Sequence, residues 1–164
     1  MSVARVFIVA VIGLILQITA AQGMAIGGSA PDFIIIILVA VVLNRNPIAA
    51  VIIGFCLGFL QDLANPVFLG MNALSKSLLA YGVSRIGGGY LPHNLFYFVL
   101  LVFSSCLIND IIVSNITYSF SFVDVISSFF RFSILSALYS SLLGGVLYVV
   151  SSVFELTGIG MRTG

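Results

Sequence analysis

The chain has very few charged residues. Of its 164 residues, 7% are Asp, Glu, Lys or Arg and 61% are hydrophobic, and the mean hydropathy is +1.27. Soluble domains carry their charged residues on a surface that faces water, and this composition cannot supply such a surface. The 6 Lys and Arg residues are scattered along the chain. They form no basic patch of the kind that binds nucleic acid.

The residue types on which enzymes and metal sites depend are also scarce. His93 is the one histidine, and we expect it in a loop on the cytoplasmic side, away from the outer acids and the intramembrane serines. A Ser–His hydrolase needs those groups within hydrogen-bond reach. Cys56 and Cys106 lie inside apolar runs, where cysteine is expected to pack as a small apolar side chain. No His, Cys and Asp residues have metal-ligand spacing. The sequence therefore predicts no enzyme, no metal and no cofactor.

Apolar runs near the length needed to cross a bilayer recur from end to end. They predict a single domain over residues 1–164, an all-α polytopic membrane bundle of about six transmembrane helices. Arg5, the apolar run 6–16 and the small residues Ala20 and Ala21 resemble a signal peptide, but we expect an uncleaved first helix because the next run follows closely. The predicted spans are 4–22, 31–44, 47–62, 72–87, 94–114 and 127–154.

The placement of charge predicts the topology. If the chain starts in the cytoplasm and alternates through these spans, four arginines lie on the cytoplasmic side: Arg5, Arg45, Arg85 and Arg162. The outer connections 23–30, 63–71 and 115–126 contain no Lys or Arg. Four acids gather at the outer end: Asp32, Asp62, Asp110 and Asp124. Basic residues favour the cytoplasmic side, so both termini are expected to be cytoplasmic.

Small residues form a stripe on the third predicted span. Ala50, Gly54, Gly58 and Asp62 follow one another at four-residue steps and therefore share one face of a helix. Small side chains let two helix backbones approach closely, which favours helix association in lipid. The stripe is either a packing face inside the bundle or a docking groove for the helix of another protein.

Asp62 and Lys76 place opposite charges in consecutive, antiparallel apolar segments. A charge inside the hydrocarbon costs at least about 2.5–3.5 kcal/mol. Lys76 lies roughly 6 Å deeper than Asn72 along its helix, within reach of the acid. We predict a structural ion pair between Asp62 and Lys76 in preference to a transported-ion or proton site. The same reasoning predicts a second outer pair between Asp110 and Arg131.

Two short sequence runs carry a family resemblance. The run GFCLGFLQD at 54–62, followed by LGMNAL at 69–74, resembles the MreD family of rod shape-determining proteins. The segment that begins at Pro31 and the turn at 44–47 are similar to that family as well. By this likeness Gly54, Gly58, Asp62, Gly70 and Asn72 carry the family motif, and we expect Gly70 and Asn72 to set the loop geometry.

The resemblance implies an integral subunit of the bacterial cell-elongation machinery in the cytoplasmic (inner) membrane. Members of the family bind MreC, a partner with a single transmembrane helix and a large outer domain, through that helix and a nearby outer segment. Through MreC they connect to MreB, to RodA and to a penicillin-binding transpeptidase. The family is also similar in helix arrangement to the substrate-binding subunits of energy-coupling-factor transporters.

Two functions remain open at this point. The first is a non-catalytic scaffold in membrane lipid whose surface binds partner helices and helps control cell shape and peptidoglycan synthesis. The second is a small-molecule or lipid-binding transporter subunit, which needs an outward cavity near Asp32, Asp62, Lys76 and Asp110. The absence of tryptophan and the short outer loops count against the second.

Overall fold

The computed structural model of this chain describes residues 3–23, 30–64, 69–87, 94–118 and 122–156. All regular secondary structure in these ranges is helical, which confirms the all-α prediction for them. The elements in order are α1 (Val3–Gly23), α2 (Phe33–Val42), α3 (Pro47–Ala64), α4 (Met71–Gly87), α5 (Leu95–Thr117), α6 (Phe122–Ser128), a π-helix (Phe129–Ser133) and α7 (Ile134–Leu156).

The helix boundaries follow the predicted spans, with two differences. The span at 31–44 begins only at Phe33, because Asp32 is extended and its side chain accepts a hydrogen bond from the Ile35 N–H. Asp32 is therefore the N-cap of α2, and Pro31 precedes the helix. The predicted span at 127–154 holds the π-helix and most of α7, whereas α6 begins at Phe122, inside the connection predicted at 115–126.

Two of the described helices, α3 and α5, are long and apolar enough to cross a membrane by length and composition. Helix α2 has 10 residues and measures about 15 Å, half the thickness of the hydrocarbon. It is too short to span a bilayer alone. The count of about six spans and the location of the termini remain predictions.

Helix α2 is the centre of the bundle. It contacts α1, α3, α4, α5 and α7, and Ile35, Leu38 and Val39 are completely buried. A helix that is apolar on all sides is stable where neighbours surround it. Around it, α3 packs chiefly on α4 and α5 packs chiefly on α7. Phe98 of α5 stacks on Tyr148 of α7 with 5.1 Å between ring centroids.

The outward faces of the helices are apolar. Ile52 and Phe59 on α3, Leu78 on α4 and Leu142 on α7 are all exposed. Large contiguous apolar surfaces are rare on soluble monomers and mark contact with a membrane or a partner. The charged groups of the described bundle lie inside it or at its ends, and the apolar groups face outward.

Candidate functional site

The small-residue stripe of α3 faces α4. A β-carbon on Gly54 would collide with the Lys76 carbonyl oxygen, and one on Gly58 would collide with the Asn72 carbonyl oxygen. Ala50, one turn away, is completely buried. Helix α4 therefore occupies the surface for which the sequence left two roles open. Gly54 and Gly58 of α3 allow close packing against α4 within the chain, and a partner helix cannot occupy this surface while α4 covers it.

Asp62, at the end of this stripe, caps the neighbouring helix. Its Oδ2 accepts hydrogen bonds from the backbone N–H groups of Gly70 and Ala73, both at 3.0 Å. Its Oδ1 accepts from the Asn72 backbone N–H at 3.1 Å and from the Asn72 side-chain amide at 3.0 Å. The first N–H groups of a helix have no partner within the helix. A carboxylate satisfies them and complements the positive end of the helix dipole.

Gly70 explains why the cap comes from another helix. Its carbonyl accepts a hydrogen bond from the Leu74 N–H at 2.9 Å, so Gly70 occupies the N-cap position of α4 but has no side chain to cap with. Its φ is +96°, and no atom lies within 4 Å of where a β-carbon would stand. The backbone conformation, rather than lack of space, requires glycine here. Asp62 supplies the missing carboxylate from α3.

The predicted ion pair between Asp62 and Lys76 is not formed. Lys76 Nζ lies 4.0 Å from Asp32 Oδ2 and 3.4 Å from Asn72 Oδ1. Each oxygen of Asp62 already accepts two N–H groups, and Asn72 stands between the acid and the lysine. Asp32 is the ionic partner of Lys76, and the contact with Asp62 is indirect, through the Asn72 amide.

Asp32 joins three helices, a role that the sequence prediction did not give it. Its Oδ1 caps α2 through the Ile35 N–H at 3.0 Å, and its own N–H donates to Ser140 Oγ of α7 at 2.9 Å. Its Oδ2 faces Lys76 of α4. The signal was present in the sequence, because an acid directly before an apolar helix is a typical N-cap.

The polar contacts continue into α5. Ser75 Oγ of α4 donates to Asn109 Oδ1 at 2.9 Å. The Asp110 side chain interacts with Ser133, and lies within electrostatic range of Asp32 and Lys76. We call Asp32, Asp62, Asn72, Ser75, Lys76, Asn109 and Asp110 the polar network. It links α2, α3, α4 and α5 at one end of the bundle.

Two predicted groups lie beyond what the structure describes. Arg131 belongs to the π-helix Phe129–Ser133, but its side chain is outside the described part, so the pair with Asp110 remains a prediction. His93 lies outside the described residues altogether.

The network binds the helices of the chain to one another. Asp62 and Lys76 are completely buried, and a buried charge is tolerated only when paired and hydrogen-bonded. Each Asp62 oxygen accepts two N–H groups of the chain, and Lys76 contacts Asp32 and Asn72. Among the described residues, no group of three or more His, Cys, Asp or Glu could hold a metal ion. The arrangement is that of a structural network that fixes helix register.

Comparison with known proteins gives one match. The family model described as rod shape-determining protein MreD matches residues 2–156. No curated protein and no solved structure matches the chain. The family resemblance found in the sequence is thereby confirmed, whereas the likeness to energy-coupling-factor subunits remains a prediction.

Proposed function

We propose that this chain, which belongs to the MreD family of rod shape-determining proteins, is a non-catalytic membrane scaffold of the bacterial cell-elongation machinery. Membership of the family implies involvement in rod shape determination and a membrane location. The proposal adds that the chain binds the transmembrane helix of MreC. Through MreC it would act indirectly on MreB, RodA and a penicillin-binding transpeptidase.

One observation supports the scaffold proposal: the buried charges Asp62 and Lys76 have their partners within the chain, and the outward faces of the described helices are apolar. Asp62 accepts four N–H groups, and Lys76 lies against Asp32 and Asn72. A transporter subunit would need some of these groups available to a ligand. A scaffold needs a rigid interior and a helix-binding exterior.

The outward face of α3 is our proposed contact for the MreC helix. Ile52, Phe55, Phe59 and Leu63 lie on it and are exposed. Phe55 and Phe59 stack with 5.9 Å between ring centroids, which gives the face a preformed shape. Because α3 packs chiefly on α4, these side chains on its opposite side are not covered by the described helices. Aromatic side chains that lose little conformational entropy on binding are frequent anchors at interfaces.

Disulfide crosslinking in membranes tests the contact. Cys56 is exposed on this face and Cys106 is buried, so a Cys106→Ala background leaves one native reporter. It is paired with single cysteines placed along the MreC transmembrane helix. We expect crosslinks from Cys56. When Cys56→Ser is added to this background, we expect them from Ile52→Cys and from Phe59→Cys, repeating with helical period. Leu78 on α4 and Leu142 on α7 are also apolar and exposed, and Leu78→Cys and Leu142→Cys in the same cysteine-free background serve as controls without crosslinks.

The two parts of the proposal fail separately. Crosslinks found only with Leu142→Cys would show that MreC contacts α7 instead of α3, and they would be consistent with the scaffold role. Failure of MreC to copurify with the wild-type chain would overturn MreC binding itself.

A further inference from the structure

Two arginines lie at the end of the bundle opposite to the polar network. A β-carbon on Gly87, the last residue of α4, would lie 2.6 Å from the Leu43 carbonyl oxygen. The turn between α2 and α3 therefore packs directly against the end of α4. Arg45 lies in this turn, and Arg85 lies in the last turn of α4. Since Asp62 caps the first turn of α4, the acids and these arginines are at opposite ends.

The Arg85 side chain is held in place by an aromatic ring. Its guanidinium carbon lies 5.6 Å from the centroid of the Tyr81 ring, and its Nε donates to the Tyr81 hydroxyl at 3.3 Å. These contacts use one face and the Nε–H of the guanidinium. No carboxylate pairs with Arg85 in the part of the chain that the structure describes. A planar, oriented guanidinium suits the oxygens of a phosphate.

An apolar track runs along α4 from Arg85 in the last turn to Leu74 in the first turn. Leu74, Leu78 and Tyr81 are exposed, and together with Arg85 they follow one another at helical spacing on one face of α4. From Arg85 to Leu74 the track measures about 16 Å, close to half of the roughly 30 Å hydrocarbon thickness. This length is close to that of an acyl chain, which extends through one leaflet. A ligand that fits both the guanidinium and the track has a phosphate at one end and an acyl chain at the other.

We propose that Arg85 and Tyr81 form a binding site for the headgroup of an anionic phospholipid, with an acyl chain along Leu78 and Leu74. Arg45 lies in the turn at the same end of the bundle, and the site does not depend on it. The site requires only that the chain is embedded in a membrane, and is independent of any contact with MreC. The lipid is a bound component of the bundle surface rather than a transported substrate.

Native mass spectrometry of the full chain in detergent tests the proposal. The chain is titrated with phosphatidylglycerol, with phosphatidylcholine of the same acyl chains, and with inorganic phosphate. We expect the wild type to bind phosphatidylglycerol more tightly than phosphatidylcholine. Arg85→Gln should lower the affinity for phosphatidylglycerol about fivefold, the effect of one basic residue at an anionic lipid surface. It should leave phosphatidylcholine binding unchanged, and inorganic phosphate should not compete.

A matched variant separates this site from overall charge. Arg5→Gln removes the same charge from another segment and should keep the wild-type preference. Arg85 is exposed, so Arg85→Gln should unfold at the wild-type temperature, which circular dichroism measures. An unchanged lipid preference in Arg85→Gln, an equal loss in Arg5→Gln, or competition by inorganic phosphate would each overturn the proposal.

Discussion

At the scale of single residues, Asp62 shows how a carboxylate is stabilised inside an apolar bundle. Its environment contains four N–H donors and the positive end of α4, and these replace water as partners of the charge. Charge-assisted hydrogen bonds are about twice as strong as neutral ones. The acid therefore has a structural use that does not depend on a counter-ion. Lys76 therefore pairs with Asp32.

Replacing Asp62 tests the cap. In Asp62→Asn one oxygen becomes an amide nitrogen, so two of the four N–H groups lose their acceptor in a buried place. We expect a loss of about 2–4 kcal/mol in the free energy of unfolding, since each buried unsatisfied donor costs about 1–3 kcal/mol. Unfolding in mixed micelles followed by circular dichroism measures this. The control is Asn94→Ala, which removes the exposed cap of α5, a single bond to the Phe96 N–H, and should cost about 1 kcal/mol. Equal losses would contradict the special role of Asp62.

Double-mutant cycles identify the partner of Lys76. Lys76→Met removes the charge and keeps much of the volume. Because Lys76 Nζ faces Asp32 Oδ2 at 4.0 Å, the cycle with Asp32→Asn should give a coupling energy of about 0.5–3 kcal/mol, the range for residues in contact. The cycle with Asp62→Asn should give the smaller value, as that contact passes through Asn72. A larger coupling energy with Asp62→Asn than with Asp32→Asn would instead support the ion pair between Asp62 and Lys76 that the sequence predicted.

At the scale of elements, α3 and α4 form one unit. Glycines in α3 set the distance between the two backbones, and Asp62 of α3 completes the first turn of α4. The two contacts support each other, because the carboxylate reaches the N–H groups only if the backbones approach closely. Helix α3 thereby fixes both the position and the start of α4.

Two glycines that differ in their surroundings test this unit. A β-carbon on Gly58 would collide with Asn72 and lie 2.6 Å from the Ala73 Cα. We expect Gly58→Ala to push the helices apart and cost about 1–3 kcal/mol of stability. Gly82 of α4 has no atom within 4 Å of its β-carbon position. Gly82→Ala should be neutral or stabilise by up to about 1 kcal/mol, since alanine is the better helix former. Thermal unfolding measures both, and a neutral Gly58→Ala would contradict the close contact.

The sequence predicts where the helices lie along the chain better than it predicts which helices contact one another. Apolar runs locate the helices, and the four-residue spacing of Gly54, Gly58 and Asp62 shows that they share a face. Spacing along one helix cannot tell which neighbour covers that face. The pairing of Lys76 with Asp32 depends on where α2 lies in the bundle, which is a tertiary property. The segment of the π-helix Phe129–Ser133 contains no proline, so no helix-breaking residue indicated it.

At the scale of the whole molecule, charge is divided between the two ends. The polar network joins α2, α3, α4 and α5 at one end, and Arg45 and Arg85 lie at the other. Between them α2 contacts five other helices. Polar contacts that connect several helices make each helix depend on the others. A destabilising substitution in α3 should therefore also lower the stability of α5, although α3 and α5 are not close neighbours.

Cooperative unfolding of the bundle is the expected consequence, and Cys106 reports on it. This thiol of α5 is buried, whereas Cys56 of α3 is exposed. In a Cys56→Ser background, a maleimide dye that fluoresces on reaction should label Cys106 only when the bundle opens. If the described helices unfold as one unit, Gly58→Ala in α3 should lower the labelling temperature of Cys106 and the circular dichroism midpoint by the same amount. The Gly82→Ala variant should lower neither. If Gly58→Ala lowered the dichroism midpoint but left the labelling temperature of Cys106 unchanged, α5 would be stable independently of the unit formed by α3 and α4. The polar network would then not transmit stability across the bundle.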